Sequence, residues 1–493
     1  MGIVIKQAVS STIYSYIGAA LGFLTVWFVN RLWLTSEQNG LLNLLISISL
    51  LTGSLSNLGM TGVTTRMFPK FRNAANSHGQ FLFYPLVITS LGFVLFLFCF
   101  FLFSDSLAER NMEKSRLFAE NIYLLIPLTL FLGLFYILDA FSRCIYLTTA
   151  GVVIKEVLLR VAILIAAYIY HIGIISFDAF VLIYCASTCS IAIGMAFYLY
   201  QKGEFQFKRP SIKMDQAIRR EMIQVAAFSV ITGLSSLLIS HIDKFIVNDM
   251  LGLAYAGIFA VATYFGSIIQ IPARSIIRIT SSIIADAWNR NDTGLVRMIY
   301  HKTCLNQTII GLSLFTCIWL NIGNIISLMP ADYANAGNVI LVIALGYLID
   351  LATGVNGVII GTSKHYRYDS IFMFLLVLVT IVTNVILIPQ YGLLGAAIAS
   401  CLSFLLYNLS RYIFILVKFK MQPYDVSFLK VLGAGAIGFG VAFLVPSMSN
   451  AYADTVARSA AFMIIYLPLI YRMHVSPDLN LTLKTYMKKL LRQ

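Results

Sequence analysis

The chain has 493 residues, of which 59% are hydrophobic and only 11% charged, with a formal net charge of +14. That composition is too apolar for an ordinary soluble domain, and runs of about 20 apolar residues, enough to cross a hydrocarbon core of roughly 30 Å, recur throughout. A transmembrane β-barrel would show short alternating segments instead, and nucleic acid is not the expected partner, because Lys and Arg gather in every second short connection, as the positive-inside rule describes.

About fourteen spans are predicted, near residues 10–30, 41–65, 80–103, 121–142, 151–171, 178–200, 225–247, 254–273, 303–326, 338–360, 370–389, 393–417, 430–446 and 455–471. No secretory signal is evident before the turn at Glu37, so the first helix is expected to stay. Basic clusters such as Arg66/Lys70/Arg72, Lys202–Arg220, Arg290/Arg297/Lys302 and Lys418/Lys420/Lys430 lie on one side. The other side carries only Arg31, Arg110, Lys114, Arg116, Lys244 and Arg458. Both termini are therefore expected in the cytoplasm. The Leu/Met and Lys/Arg alternation of Leu479–Arg492 predicts a helix lying along the inner leaflet.

The first two spans repeat. Ser10–Asn30 ends at Arg31, turns through Glu37–Gly40, and continues as Leu41–Thr65 to Arg66. A second apolar run ends at Asp243-Lys244, turns through Asn248–Gly257, and reaches Pro272 before Arg274 and Arg278. Superposing Gly40 on Gly257 aligns the two hairpins. The expected fold is an all-α polytopic membrane protein with two pseudo-symmetric six-helix lobes. Residues 1–200 form the first lobe, 201–224 a cytoplasmic linker and 225–420 the second lobe. Two extra helices and the tail occupy 421–493. Small residues at Gly395, Ala399 and Ser403, and at Gly433, Gly435, Gly438 and Gly440, predict close helix packing.

No connection exceeds roughly two dozen residues, so no soluble catalytic domain fits, and an enzyme is not expected. The seven cysteines lie within or next to apolar runs. Cys185 and Cys189 share a helix face, but no further ligand pair completes a metal set. No metal or cofactor is expected.

Ionisable groups inside a bilayer are costly and normally face a cavity or a partner. Asp350 lies about a dozen residues from either end of its span and has no charged neighbour one turn away. It is a candidate for proton or cation coupling, or else donates one interhelical hydrogen bond. Lys155, Glu156 and Arg160 form a second deep group, in which Glu156 and Arg160 are an i,i+4 pair and Lys155 has no evident local partner. Asp139 and Arg143 have the same spacing at the inner end of the fourth span. Asp243 and Lys244, with His241, are placed in the last turn of the seventh. Arg66, Arg274 and Arg278 either face a cavity or snorkel to the inner headgroups. The substrate-binding candidates are Arg31, Arg66, Arg143, Lys155, Arg160, Arg274 and Arg278; the ion-coupling candidates are Asp139, Asp243 and Asp350. Deep charges, Arg411 among them, are more basic than acidic. A cationic chamber between two lobes would attract a phosphate or diphosphate head group, which suits the bidentate guanidinium.

Two blocks carry a resemblance. Ile242-Asp243-Lys244-Phe245, Leu251-Gly252, Ala256-Gly257-Ile258-Phe259 and Ile271-Pro272 form the first; Leu387-Ile388-Pro389-Gln390-Tyr391-Gly392-Leu393-Leu394-Gly395-Ala396-Ala397 is the second. Together they resemble the signatures of polysaccharide-transport (Wzx-like) flippases of the multidrug/oligosaccharidyl-lipid/polysaccharide (MOP) exporter superfamily. The resemblance implies a V-shaped, MATE-like pair of lobes in the bacterial inner membrane. It also implies movement of a polyprenyl-diphosphate-linked glycan, for O-antigen, lipopolysaccharide, capsule or exopolysaccharide, from the inner to the outer leaflet. Glycosyltransferases and a glycan polymerase of the same pathway would be its partners, besides membrane lipids. It further implies essential arginines, matched here by helix position at Arg31, Arg66 and Arg274. A drug or cation antiporter of the same superfamily and a lipid II flippase remain alternatives. So does, from a different class, a polytopic glycan polymerase or glycosyltransferase; its largest outer connection, Ser104–Glu120, has acids but no His.

Overall fold

The structure, a computed structural model, describes residues 33–71, 79–112, 115–145, 147–205, 207 and 216–476, with 14, 17, 18, 20–22, 24, 25, 28 and 29 of the first span. The described residues are helical with no strand. Arg31 and the predicted tail helix at Leu479–Arg492 lie outside them. Eight helices are long and apolar enough to cross a membrane, or nine if one bent pair is a single span.

The chain parts into two compact units, Met1–Gly257 and Ile258–Gln493. The first contains α1 (Ser36–Ser56), α2 (Met60–Phe71), α3 (Phe83–Met112), α4 (Leu125–Cys144), α5 (Leu159–His171), α6 (Phe177–Gln201) and α7 (Gln216–Leu251). Helix α1 starts where Thr35 caps it: its hydroxyl accepts from the Gln38 amide at 3.2 Å, and the Gln38 side chain accepts from the Thr35 amide at 3.0 Å. That reciprocal pair satisfies two amides that the helix leaves open. Ser176 caps α6 through the Ala179 amide.

Helix α3 shows what surrounds the unit. Phe98, Phe101 and Phe103 are 64%, 61% and 65% exposed, beside equally open Leu91, Val94 and Leu95. So broad an apolar face is stable against hydrocarbon and not against water. The inner faces pack as aromatic pairs, with Phe68 edge-on to Phe81 and Phe141 at 5.7 and 5.3 Å. The two glycines equated by the internal repeat touch. A Cβ on Gly40 would meet the Leu253 carbonyl and the Gly257 nitrogen, and one on Gly257 would meet the Ser36 carbonyl and the Gly40 nitrogen. Asn39 adds a hydrogen bond from Nδ2 to the Gly257 carbonyl at 3.3 Å.

The α8 helix (Leu253–Ile268) leads into the second unit, which holds α9 (Ile271–Asn289), α10 (Thr293–Leu320), α11 (Ala336–Ala352), α12 (Asn356–Thr362), α13 (Tyr366–Phe419), α14 (Val426–Phe443) and α15 (Ala451–Arg472). At 54 residues, α13 would extend about 80 Å as one rod. Gly392, at φ 56° and ψ −136°, breaks it into two spans, as the sequence predicts. Helices α11 and α12 form the bent pair, at 48° across residues 353–355. Helices α14 and α15 join α10 through Tyr466, whose hydroxyl donates to the Ile309 carbonyl at 3.0 Å. Of the glycines in α14, Gly435 and Gly438 pack on Leu312 and Phe462, while Gly433 and Gly440 have nothing within 4 Å.

Candidate functional site

In the first unit the deep charges converge on Lys155. It sits in a π-helical turn, Val153–Leu158, inserted ahead of α5. Such single turns are rare and displace the side chains they carry from the normal α-helical face. The first span crosses here, because a Cβ on Gly18 would lie 2.6 Å from that of Glu156. Lys155 Nζ donates to the Tyr136 hydroxyl of α4 at 3.1 Å and lies 5.0 Å from that ring's centroid. Its charge also acts on Glu156 and Asp139. Asp139 is ion-paired with Arg143 one turn on, and a Cβ on Gly151 would strike the Asp139 carboxylate. Glu156 and Arg160 pair at 2.8 Å. The local partners read from the i,i+4 spacings are therefore present; Tyr136, the partner of Lys155, carries no charge that the sequence could flag.

Helix α7 brings the second group. It continues to Leu251 instead of ending near residue 247, so His241 lies ten residues inside it and not in the last turn as predicted. His241 Nδ1 is 2.9 Å from Ser47 Oγ of α1. The charges of both Lys244 and Lys155 reach the imidazole, and Asp243 acts on Lys244. Lys155, Lys244, Arg160 and Arg143 thus lie in one helical unit together with the acids Asp139, Glu156 and Asp243, four basic against three acidic side chains. Beside the π-turn, a groove of about 670 Å³ is lined by Ile154, Leu158, Ala162, Gly194 and Phe197, with Thr149, Ser190, Tyr198 and Gln201 among its polar members. Leu158 and Phe197 are largely exposed, so the groove opens on the lipid-facing surface.

The second unit contains a different site around Asp350. Its Oδ2 accepts from Gln270 Nε2 at 2.7 Å and its Oδ1 from Asn408 Nδ2 at 2.9 Å. Asn408 Oδ1 accepts from Thr353 Oγ1 at 2.8 Å and from Asn356 Nδ2 at 2.9 Å. Arg411, 7% exposed, pairs with Asp369 at 2.5 Å and lies 4.0 Å from the Tyr407 ring centroid. Gly357 leaves room for it, since a Cβ there would come within 2.7 Å of Nη1. Asn408 and Arg411 are three residues apart on one helix face, and Asp350, Thr353 and Asn356 line the bend between α11 and α12. Asp350 therefore does more than donate one interhelical hydrogen bond. Both its oxygens accept, one from Asn408 of α13 and the other from Gln270 in the turn between α8 and α9.

Arg66 is exposed on α2. Arg274 and Arg278 lie on α9, with side chains outside the described set, and Arg31 is outside it altogether. Gln270, Asn408, Thr353, Asn356 and Asp369 were not singled out by the sequence.

The fold defines a multi-pass helical membrane protein. Among solved structures it is similar to a lipid II flippase, MurJ, in an inward closed conformation, with a TM-score of 0.74 and 13% identity over 96% of this chain and 100% of that one. It is also similar to an inward-facing multidrug resistance MATE family transporter of the MOP superfamily, with a TM-score of 0.66 and 12% identity over 85% and 98%. A MOP superfamily transporter from Pyrococcus furiosus gives 0.56 and 12% over 84% and 96%. No protein-family profile and no curated protein sequence matches the chain. The fold is that of the MOP superfamily transporters.

Proposed function

We propose that the protein is a flippase for a lipid-linked oligosaccharide, a polyprenyl-diphosphate glycan carried from the cytoplasmic to the outer leaflet of the bacterial inner membrane. The observation that carries this reading is the excess of basic over acidic side chains around Lys155 beside an apolar groove in the same unit. A diphosphate is matched by clustered Lys and Arg, and a prenyl chain by a groove open to lipid. Transport proceeds by alternating exposure of the cationic site to the two sides of the membrane. In this reading Asp350 contributes ion coupling, and residues 1–200, 225–420 and 421–493 act as two lobes and an accessory helix pair.

Lipid II is a second reading, favoured by the fold agreement with a lipid II flippase over nearly the full length of both chains. The test uses purified protein in proteoliposomes with a fluorescent polyprenyl-diphosphate disaccharide and with lipid II. Wild-type protein is expected to move the first. Lys155→Ala should reduce the rate at least tenfold, and Lys155→Arg should restore much of it. Movement of lipid II alone selects the second reading, and full activity of Lys155→Ala overturns the cationic-site assignment.

A further inference from the structure

Helices α11 and α12 meet at a break that α13 holds from one side. Asn408 is saturated there: Nδ2 donates to Asp350 and to the Phe404 carbonyl, and Oδ1 accepts from Thr353 and Asn356. The backbone turns at Gly354, φ +67°, where a Cβ would come within 2.9 Å of the Cys304 nitrogen. A residue without a side chain suits that position on both counts.

On the side of α10 the polar groups are not matched. Helix α10 runs antiparallel to α11: its Thr303 and Cys304 meet Gly354, and its Gly311 meets Leu348 and Leu351. Gln307 lies between those contacts on the same face of α10, three residues from one and four from the other, level with the carboxyl end of α11. It is 0% exposed, and neither Oε1 nor Nε2 has a hydrogen-bond partner. Tyr300, two turns earlier on that face, is as deeply buried, and its hydroxyl is also unpaired. The Ala352 carbonyl, the last of α11, accepts from the Tyr424 hydroxyl at 3.5 Å, too long for a strong hydrogen bond.

A buried amide without partners is worse than an apolar side chain of the same shape, so leucine would serve this arrangement better than Gln307 does. What the arrangement lacks is a partner on each side: α10 offers an unused donor where the end of α11 offers a poorly served acceptor. Residues 353–355 belong to neither helix. A change of φ and ψ confined to them re-aims the Ala352 carbonyl and leaves both helices intact, which is how hinges of this kind work.

We propose that the α11–α12 break is a two-position switch. Asn408 holds the position seen here, and in the other the Gln307 amide takes the carboxyl end of α11. Gln307, unpaired in the first position, keeps the two close in energy. The switch gives the alternating exposure proposed above a moving part, and it is independent of the lipid carried. Its test does not measure transport, so failure of the transport assay and failure of the switch are separate results. In thermal unfolding of the purified full-length protein, Gln307→Leu is expected to raise the transition temperature by about 1–3 °C, because the leucine removes the unpaired amide. The second readout is the distance between spin labels at Met298→Cys on α10 and Lys364→Cys after α12, both exposed positions, in a version otherwise free of cysteine. With Gln307 present the pair should show two distances, and Gln307→Leu should lose one of them. Gly354→Ala, resisted here by φ +67° and by the Cys304 nitrogen, should enrich the distance that Gln307→Leu loses. A transition temperature in Gln307→Leu no higher than that of the wild type overturns the proposal, since the amide would then be engaged in this position, as by a buried water. So does a distance distribution that Gln307→Leu leaves unchanged.

Discussion

Arg411 and Asp369 form a buried ion pair in the second unit, with side chains 8% and 19% exposed. Burying two charges gains little by itself, but removing one partner leaves the other uncompensated. Arg411→Leu should therefore destabilise by about 3–5 kcal/mol. The double variant Arg411→Met/Asp369→Leu should recover most of that, read as the half-life of the folded protein at a fixed temperature in detergent. A double variant as unstable as the single one would mean that Arg411 matters through Tyr407 and Asn356 and not through its charge. The residues that stood out in the sequence did so because they carry charge in apolar runs, as Asp350, Lys155 and Arg411 do. Their partners Asn408, Gln270 and Tyr136 were illegible: an amide or phenol in a membrane helix has the same local pattern whether it packs or anchors a network.

Between elements, shape decides as much as charge. The two glycines that the sequence aligns, Gly40 and Gly257, are in contact, which the alignment itself did not predict. Which glycines of α14 pack was not legible. Gly433 and Gly440 share one face by their spacing of seven, and Gly435 and Gly438 another by their spacing of three, but spacing does not say which face meets a neighbour. The consequence is measurable. Gly40→Ala and Gly257→Ala would each press a methyl group onto backbone of the facing helix, which cannot swing aside. Each should lower stability by roughly 1–3 kcal/mol. Gly433→Ala and Gly440→Ala, with open space around them, should be neutral or stabilising by up to about 1 kcal/mol. Equal effects at all four positions would show that helix propensity and not contact governs them.

At the scale of the whole molecule, composition and periodicity sufficed for a helical multi-pass protein, because the bilayer enforces one solution on any chain this apolar. The number of spans is harder to read, since α7 and α13 run well past one bilayer thickness and α1, long enough to cross by itself, is followed by α2 after a break of three residues. Orientation rests on charge alone, and it can be tested directly. The turn between α9 and α10 lies among Arg290, Arg297 and Lys302, whereas the turn between α14 and α15, residues 444–450, has no basic residue. The positive-inside rule places the first in the cytoplasm and the second outside. Thr293 and Ser449 are exposed at these two turns. In a cysteine-free version of the protein, Ser449→Cys should react with a membrane-impermeant maleimide in intact spheroplasts. Thr293→Cys should react only after the membrane is permeabilised. Reversed labelling would invert the protein, and a cationic site that loads from the cytoplasmic leaflet would then load from the outside.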